Sequence, residues 1–410
     1  MSKKGNYAWP VTSINREDMI VFDEWFEKNK HSISDKTIVI WGAGIRGTEF
    51  KILFDRKGMC NIQFTDINSQ KWGGDINGTP IIPLENAYSL VESKKAVILI
   101  STENSESIES ELLSRDYVEG RDFFCVKSNL YSLYVKEFQR TYSGDVLIMG
   151  DCEFTKISLH DNNILNLSEM LKEKIGENKC KVLAMHGMGL RSHYNVLKMQ
   201  IKSGLIPKIL VIMINLDTLT GKQHLLPRSQ HEELLLSIYK LQPNGDEEFK
   251  DYLQEVHVRT KNIQVEFKTE KKKTEDEQLQ DLKARNYFKV NYLYKLDLQN
   301  EGIQYLKKIL EIAQKNNVKV IPFIPPVNYE YGTKLFGNYF VEKYEENVNK
   351  ILMFVAQFNC SLLDLSFELT SQMFAETNTP DETANEYGRQ LITEQILKKI
   401  EEFEDEEKCN

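Results

Sequence analysis

No uninterrupted apolar run approaches the ~18 residues that a membrane-spanning helix requires, so no transmembrane segment is expected. The opening residues MSKKGNYAWPVTS contain no apolar stretch of signal-peptide type, and no secretory leader is expected. The six cysteines, Cys60, Cys125, Cys152, Cys180, Cys360 and Cys409, never fall at C-x-x-C spacing. That argues against a zinc site and fits the reduced thiols of a cytoplasmic protein. Excess positive charge is missing too. The 52 basic residues are outnumbered by 61 acidic ones, and the net charge of −9 leaves no general basic face for nucleic acid. Internal repeats and low-complexity tracts are absent. Histidine is scarce and one-sided: there are seven, and none follows His257.

What is present is an alternation of buried-type strands and amphipathic helices over 410 residues, enough for two or three domains. KTIVIWGAG, NIQFTDI, AVILIST and DFFCV read as strands of a first α/β segment, residues 35–126, after an N-terminal extension, residues 1–34. DVLIMG, KCKVLAMHG, PKILVIMIN, NVKVIPFIPP and CSLLDLS read as strands of a second, residues 145–402. Near-continuous apolar strands between helices predict parallel sheets covered on both faces. Residues 127–144 read as a connecting helix. From about 243 to 292 the rhythm breaks into a highly charged segment, expected to be a solvated helical insertion projecting from the body or, alternatively, a partner-binding arm. The acidic residues 403–410 read as a frayed tail.

WGAGIRG sets Gly42, Gly44 and Gly47 in G-x-G-x-x-G spacing directly after a strand and at the start of a helix. In that context the first glycine permits the tight turn, the second admits a phosphate to the backbone, and the third lets helix meet strand. Asp66 ends the next strand, where it is placed to accept a hydrogen bond from a ribose hydroxyl. With the segment FTDINSQKWGGDINGTPIIP, residues 35–126 resemble the Rossmann-like nucleotide-sugar-binding domain of bacterial sugar O-acetyltransferases. The resemblance implies nucleotide contacts from Gly42, Gly44, Gly47 and Asp66, with a UDP- or CDP-type ligand favoured over NAD because no second mononucleotide-binding half is visible. A domain that has lost its ligand and only holds partners is the alternative.

The second segment opens on Gly150-Asp151-Cys152, a strand running into a turn with a helix expected behind it. A cysteine there is either a nucleophile activated by the helix N-terminus or a small filler. Residues 145–402 resemble SGNH (GDSL-type) hydrolases and their polysaccharide O-acyltransferase relatives, which implies a flavodoxin-like three-layer fold with strand order 2-1-3-4-5. The resemblance sets Cys152 in the serine position, Gly187 or Gly189 (from AMHGMGLRSHY) as oxyanion amide, and Asn215 (from VIMINLDTL) as oxyanion donor. Asn215 equally suits a cap of the next turn. PDETANEYGR supplies Asp381, Asn385 and Arg389 of the last block, but its histidine is missing. His186 is the best substitute base, with a merely hydrogen-bonded histidine as the alternative. His193 begins a helix. Arg191, Arg228, His231 and Arg389 are candidates for an anionic substrate group, with Asn385 beside them.

Three functions follow. The first is an acyl esterase or acyltransferase of surface-polysaccharide biosynthesis acting on a sugar or nucleotide sugar through Cys152. The second is a non-catalytic glycan- or nucleotide-sugar-binding module. The third is a nucleotide-dependent enzyme of different chemistry. A homo-oligomer is compatible with each, and fold alone does not choose among them.

Overall fold

The run Thr37–Trp41 is almost wholly apolar and buried at every position, as a strand covered on both faces must be. It forms β1 in a computed structural model that describes residues 11–102, 105–220, 231–241, 245–262, 277–380 and 383–409. The chain divides into two units, one ending at Leu130 and the other beginning at Tyr131.

In the first unit β1 is joined by β2 (Ile62–Thr65), β3 (Asp75–Ile76), β4 (Thr79–Ile82), β5 (Ala96–Ile100) and β6 (Phe123–Cys125). Their order is β3-β4-β2-β1-β5-β6, parallel except for the β3–β4 hairpin. Taken alone, the parallel strands run 3-2-1-4-5, the doubly wound order in which the chain reverses direction across the sheet at β1. The hairpin turns on Asn77 and Gly78, both at positive φ, the backbone that a two-residue Asn-Gly turn adopts. The described part of residues 1–34 is not merely an extension. Helix α1 (Arg16–Ile33) buries Met19, Phe22 and Phe26, and Phe22 packs on Phe50 and Phe54 of α2 (Ile45–Arg56). Helices α3 (Leu84–Glu92) and α4 (Ser105–Ser114) complete the unit.

The second unit holds β7 (Val146–Gly150), β8 (Cys180–Ala184), β9 (Ile209–Met213), β10 (Lys319–Ile324) and β11 (Leu363–Asp364), all parallel, in the order β8-β7-β9-β10-β11. That is the expected 2-1-3-4-5. Val146, Ile148, Val211 and Phe323 face one cluster with Leu167 and Leu171 of α6 (Leu167–Ile175) and Ile392, Ile396 and Ile400 of α14 (Glu386–Cys409). Their neighbours Leu147, Met149, Leu210 and Ile212, which point the other way, are equally buried. The sheet is therefore covered on both sides. Helix α5 (Leu130–Gln139) stands where the connecting helix was expected.

Two expectations need correction. The charged insertion does not project as a wet arm. Its described helices α9 (Glu247–Asn262) and α10 (Glu277–Asn291) bury Phe249, Tyr252, Val256, Ala284 and Phe288, an apolar stripe hidden among charges. The acidic tail does not fray at 403 either, because α14 continues to Cys409 and Phe403 packs against the core. No described helix is long and apolar enough to cross a membrane.

Candidate functional site

At the carboxyl end of β1 the chain turns through Gly42 at φ +123°, a backbone that favours glycine, and its amide donates to the Thr65 carbonyl at 2.9 Å. Gly44 caps the N-terminus of α2, and a Cβ built on it meets nothing within 4 Å. A Cβ at Gly47 would stand 2.0 Å from the Gly42 carbonyl oxygen, so the third glycine is where helix touches turn. Asp66 is not turned outward to await a ribose. Its Oδ2 accepts from the Ala43 amide at 3.0 Å and from Lys71 Nζ at 2.6 Å, and Oδ1 accepts from Asn68 N. Lys71 also donates to the Ala43 carbonyl at 3.0 Å. The carboxylate and the lysine thus brace the glycine turn, and Lys71 brings a cation to it. Sequence reasoning missed Lys71, although its place five residues beyond Asp66 was visible.

In the second unit one candidate, Asn215, meets Asp151, a residue to which sequence reasoning gives no role. Asn215, beyond the end of β9, donates through Nδ2 to Asp151 Oδ2 at 3.2 Å, beyond the end of β7. Asp151 also accepts from the Glu153 amide. Both residues are buried, and burial pushes the Asp151 carboxyl above its usual range. They line a small cleft with Gly150, Met188, Leu190, His193, Met213 and Thr218. Its volume is about 10 Å³, the room of one water.

Cys152 is half-buried, at a single 3₁₀ turn, Cys152–Phe154. The expected helix behind it is absent, since the next α-helix is α6, beginning at Leu167. One turn has too few aligned peptides to lower a thiol pKa as a full helix does. Gly187 takes φ +64° in the turn after β8, and Gly189 caps α7 (Leu190–Lys202). His186 does not line the cleft; its ring stands edge-on to His231 with centroids 5.0 Å apart. The histidine of the cleft is His193. Side chains lean toward the N-terminus of their helix, so the fourth residue of a helix starting at the sheet edge reaches that edge. That was the available signal. Asp381 lies outside the described residues, as does Arg228.

The other substrate candidates are engaged in holding the fold. Arg191 Nη1 donates to Glu255 at 2.8 Å and Glu301 at 2.7 Å, with the guanidinium over the Tyr252 ring. Arg389 is buried against Asp161 and three backbone carbonyls. Asn385 accepts from the Tyr387 and Gly388 amides, capping α14. His231 spends both ring nitrogens, Nε2 on the His186 carbonyl at 2.8 Å and Nδ1 with the Tyr131 hydroxyl at 3.1 Å.

Burial lowers His231 from 6.5 to about 4 and His193 from 6.5 to about 3. Both are neutral when folded, while the unfolded chain takes up protons near 6.5. Their contribution to stability is complete above pH 6.5 and is lost as pH falls from there toward 4. His231 faces Tyr131 and His186, with His193 close enough to repel its charge. His231→Asn, which keeps a residue tolerant of the left-handed backbone at φ 49°, is expected to remove about 1–2 kcal/mol of the acid-side loss. Urea titrations at pH 7 and pH 5 measure it, and equal slopes of stability against pH for both proteins would remove His231 as the cause.

Comparison with protein-family models and with curated proteins finds no match, so the functional reading is carried by this geometry.

Proposed function

We propose that this chain is a two-unit protein of surface-polysaccharide biosynthesis. The first unit holds the nucleotide end of a UDP- or CDP-type sugar, and the second acts as an acyl esterase or acyltransferase through Cys152. One observation supports the nucleotide part above all: the turn at the sheet's reversal point has a helix N-terminus with no side-chain cap, open space at Gly44 and the Lys71 cation beside it. Ile45 at the start of α2 and Ile67 just after Asp66, 56% and 72% exposed, offer apolar surface for a base. A thermal-shift panel of UDP-sugars, CDP-sugars and NAD(P) tests it. A ligand at 100 times its Kd adds about 2.7 kcal/mol to the native state, which raises Tm by several degrees. A flat response to every nucleotide ends this reading.

The acyl part is supported by the Asp151–Asn215 bond at the strand ends beside Cys152, where open α/β sheets take their ligands. Incubation with p-nitrophenyl acetate is expected to leave an acetyl adduct, detected by intact mass, that Cys152→Ala lacks. The second reading, a binding module without acyl chemistry, is favoured by the missing helix behind Cys152. It is adopted if wild type gains no adduct or if Cys152→Ala gains it equally.

A further inference from the structure

The cleft beside Cys152 contains a group that the resemblance does not assign. His193 is 2% exposed, and its Nδ1 has no hydrogen-bond partner among the described residues. A neutral imidazole carries its proton on one ring nitrogen, and in the tautomer with Nδ1 bare that nitrogen presents a lone pair. The ring lines a cleft of about 10 Å³, room for one water. Asp151, Asn215 and Thr218 line it too and supply the two to four polar partners that a held water needs. Cys152 follows Asp151 directly, so its Cα is about 3.8 Å from that of a residue lining the cleft.

We propose that the cleft holds the hydrolytic water for an acyl group carried on Cys152, and that His193 Nδ1 takes that water's proton. This rests on the acyl-transfer reading above. The water oxygen adds to the thioester carbonyl carbon as its proton passes to Nδ1. The tetrahedral intermediate then collapses, the C–S bond breaks, and the imidazolium returns the proton to the Cys152 thiolate. Thioester and water become carboxylic acid and thiol, with no other reactant. Burial keeps the imidazole neutral at working pH, so the lone pair is present before reaction. The developing oxyanion favours charge on it during reaction. The missing C-terminal histidine is thereby replaced from a different helix, for the deacylation step alone.

Single-turnover acetylation by p-nitrophenyl acetate, followed by intact mass, separates the steps. His193→Asn keeps a side-chain oxygen that accepts a hydrogen bond but takes no proton. Its adduct is expected to form at the wild-type rate and to decay on the order of 100-fold more slowly. Decay at the wild-type rate overturns the role of His193 and leaves Cys152 as nucleophile. An unacetylated wild type overturns the nucleophile, and this step falls with it. Wild type alone gives a second measurement that does not depend on the variant folding: its deacylation is expected to slow about two- to threefold in D₂O, as proton transfer in the rate-limiting step demands, and an unchanged rate counts against the proposal.

Discussion

Arg389→Ala is expected to lower the melting temperature of the second unit by about 10 °C, from a loss of about 3–5 kcal/mol. The side chain is 1% exposed. Nη1 donates to Asp161 Oδ2 at 2.5 Å and to the Ala384 carbonyl at 3.0 Å, Nε to the Leu165 carbonyl at 3.0 Å, and Nη2 to the Asn163 carbonyl at 2.7 Å. Asp161 in turn accepts from the Ser158 and Glu386 amides at 3.0 and 3.1 Å. One guanidinium therefore fixes the loop before α6 to the first turn of α14. Truncation leaves Asp161 charged and buried with no cation, which costs more than the pair itself contributes. Arg389→Lys is expected to fall between, because a point charge cannot serve four acceptors in the guanidinium plane. Removing both partners, Arg389→Ala with Asp161→Ala, should recover part of the loss. Calorimetry decides it: an Arg389→Ala protein melting within 2 °C of wild type, roughly the effect of 1 kcal/mol or less, would show that these bonds do not hold the unit together.

Arg389 also shows what the sequence withholds. In PDETANEYGR its position invites a role at the substrate, yet three of its four acceptors are some 225 residues away in the chain. Arg191 is the same case, since Glu255 and Glu301 lie 64 and 110 residues beyond it. Whether a guanidinium is paired is decided by tertiary neighbours, and no local pattern records them. The sheets were legible for the opposite reason. Strands buried on both faces declare themselves as apolar runs, and right-handed crossovers leave few orders open. What escaped was short or masked by charge. The β3–β4 hairpin has two residues in one arm, although its Asn77-Gly78 turn was visible. Helix α9 hides Phe249, Tyr252 and Val256, at spacings of three and four, among acidic neighbours. Of the site, the place of Asn215 at a strand end was legible, but its bond to Asp151 was not, since sequence reasoning reads no role for Asp151. Nor was the place of His193 legible, because it lies four residues past its cap and only the lean of helical side chains carries it back to the edge.

The three glycines of the first unit are expected to give three different results, and together they separate fold from ligand. Gly47→Ala lies inside α2, where alanine ordinarily improves a helix by about 1 kcal/mol. Here the new Cβ stands 2.0 Å from the Gly42 carbonyl oxygen, a backbone atom that cannot swing aside. The clash dominates. Helix and turn must part, a core-type disruption of about 4 kcal/mol or more, and the transition of the first unit should broaden or vanish in calorimetry. Gly42→Ala combines a φ of +123°, strained for any L side chain, with a Cβ 2.7 Å from Ser101 Oγ and 2.9 Å from Thr102 Cγ2, side-chain atoms that yield more readily than a backbone oxygen, so a smaller loss follows. Gly44→Val is the informative case. Its φ of −136° is open to any residue, and nothing lies within 4 Å of the Cβ position. Losing glycine at a helix cap costs no more than about 1 kcal/mol, so the protein should melt nearly as wild type does. The valine nevertheless fills the space through which a phosphate reaches the helix amides. Nucleotide-dependent stabilisation should therefore disappear while the fold remains. A Gly47→Ala protein that melts normally would contradict the contact between helix and turn. A Gly44→Val protein that keeps its nucleotide shift would move the nucleotide away from this turn, leaving Asp66 and Lys71 as braces of the backbone alone.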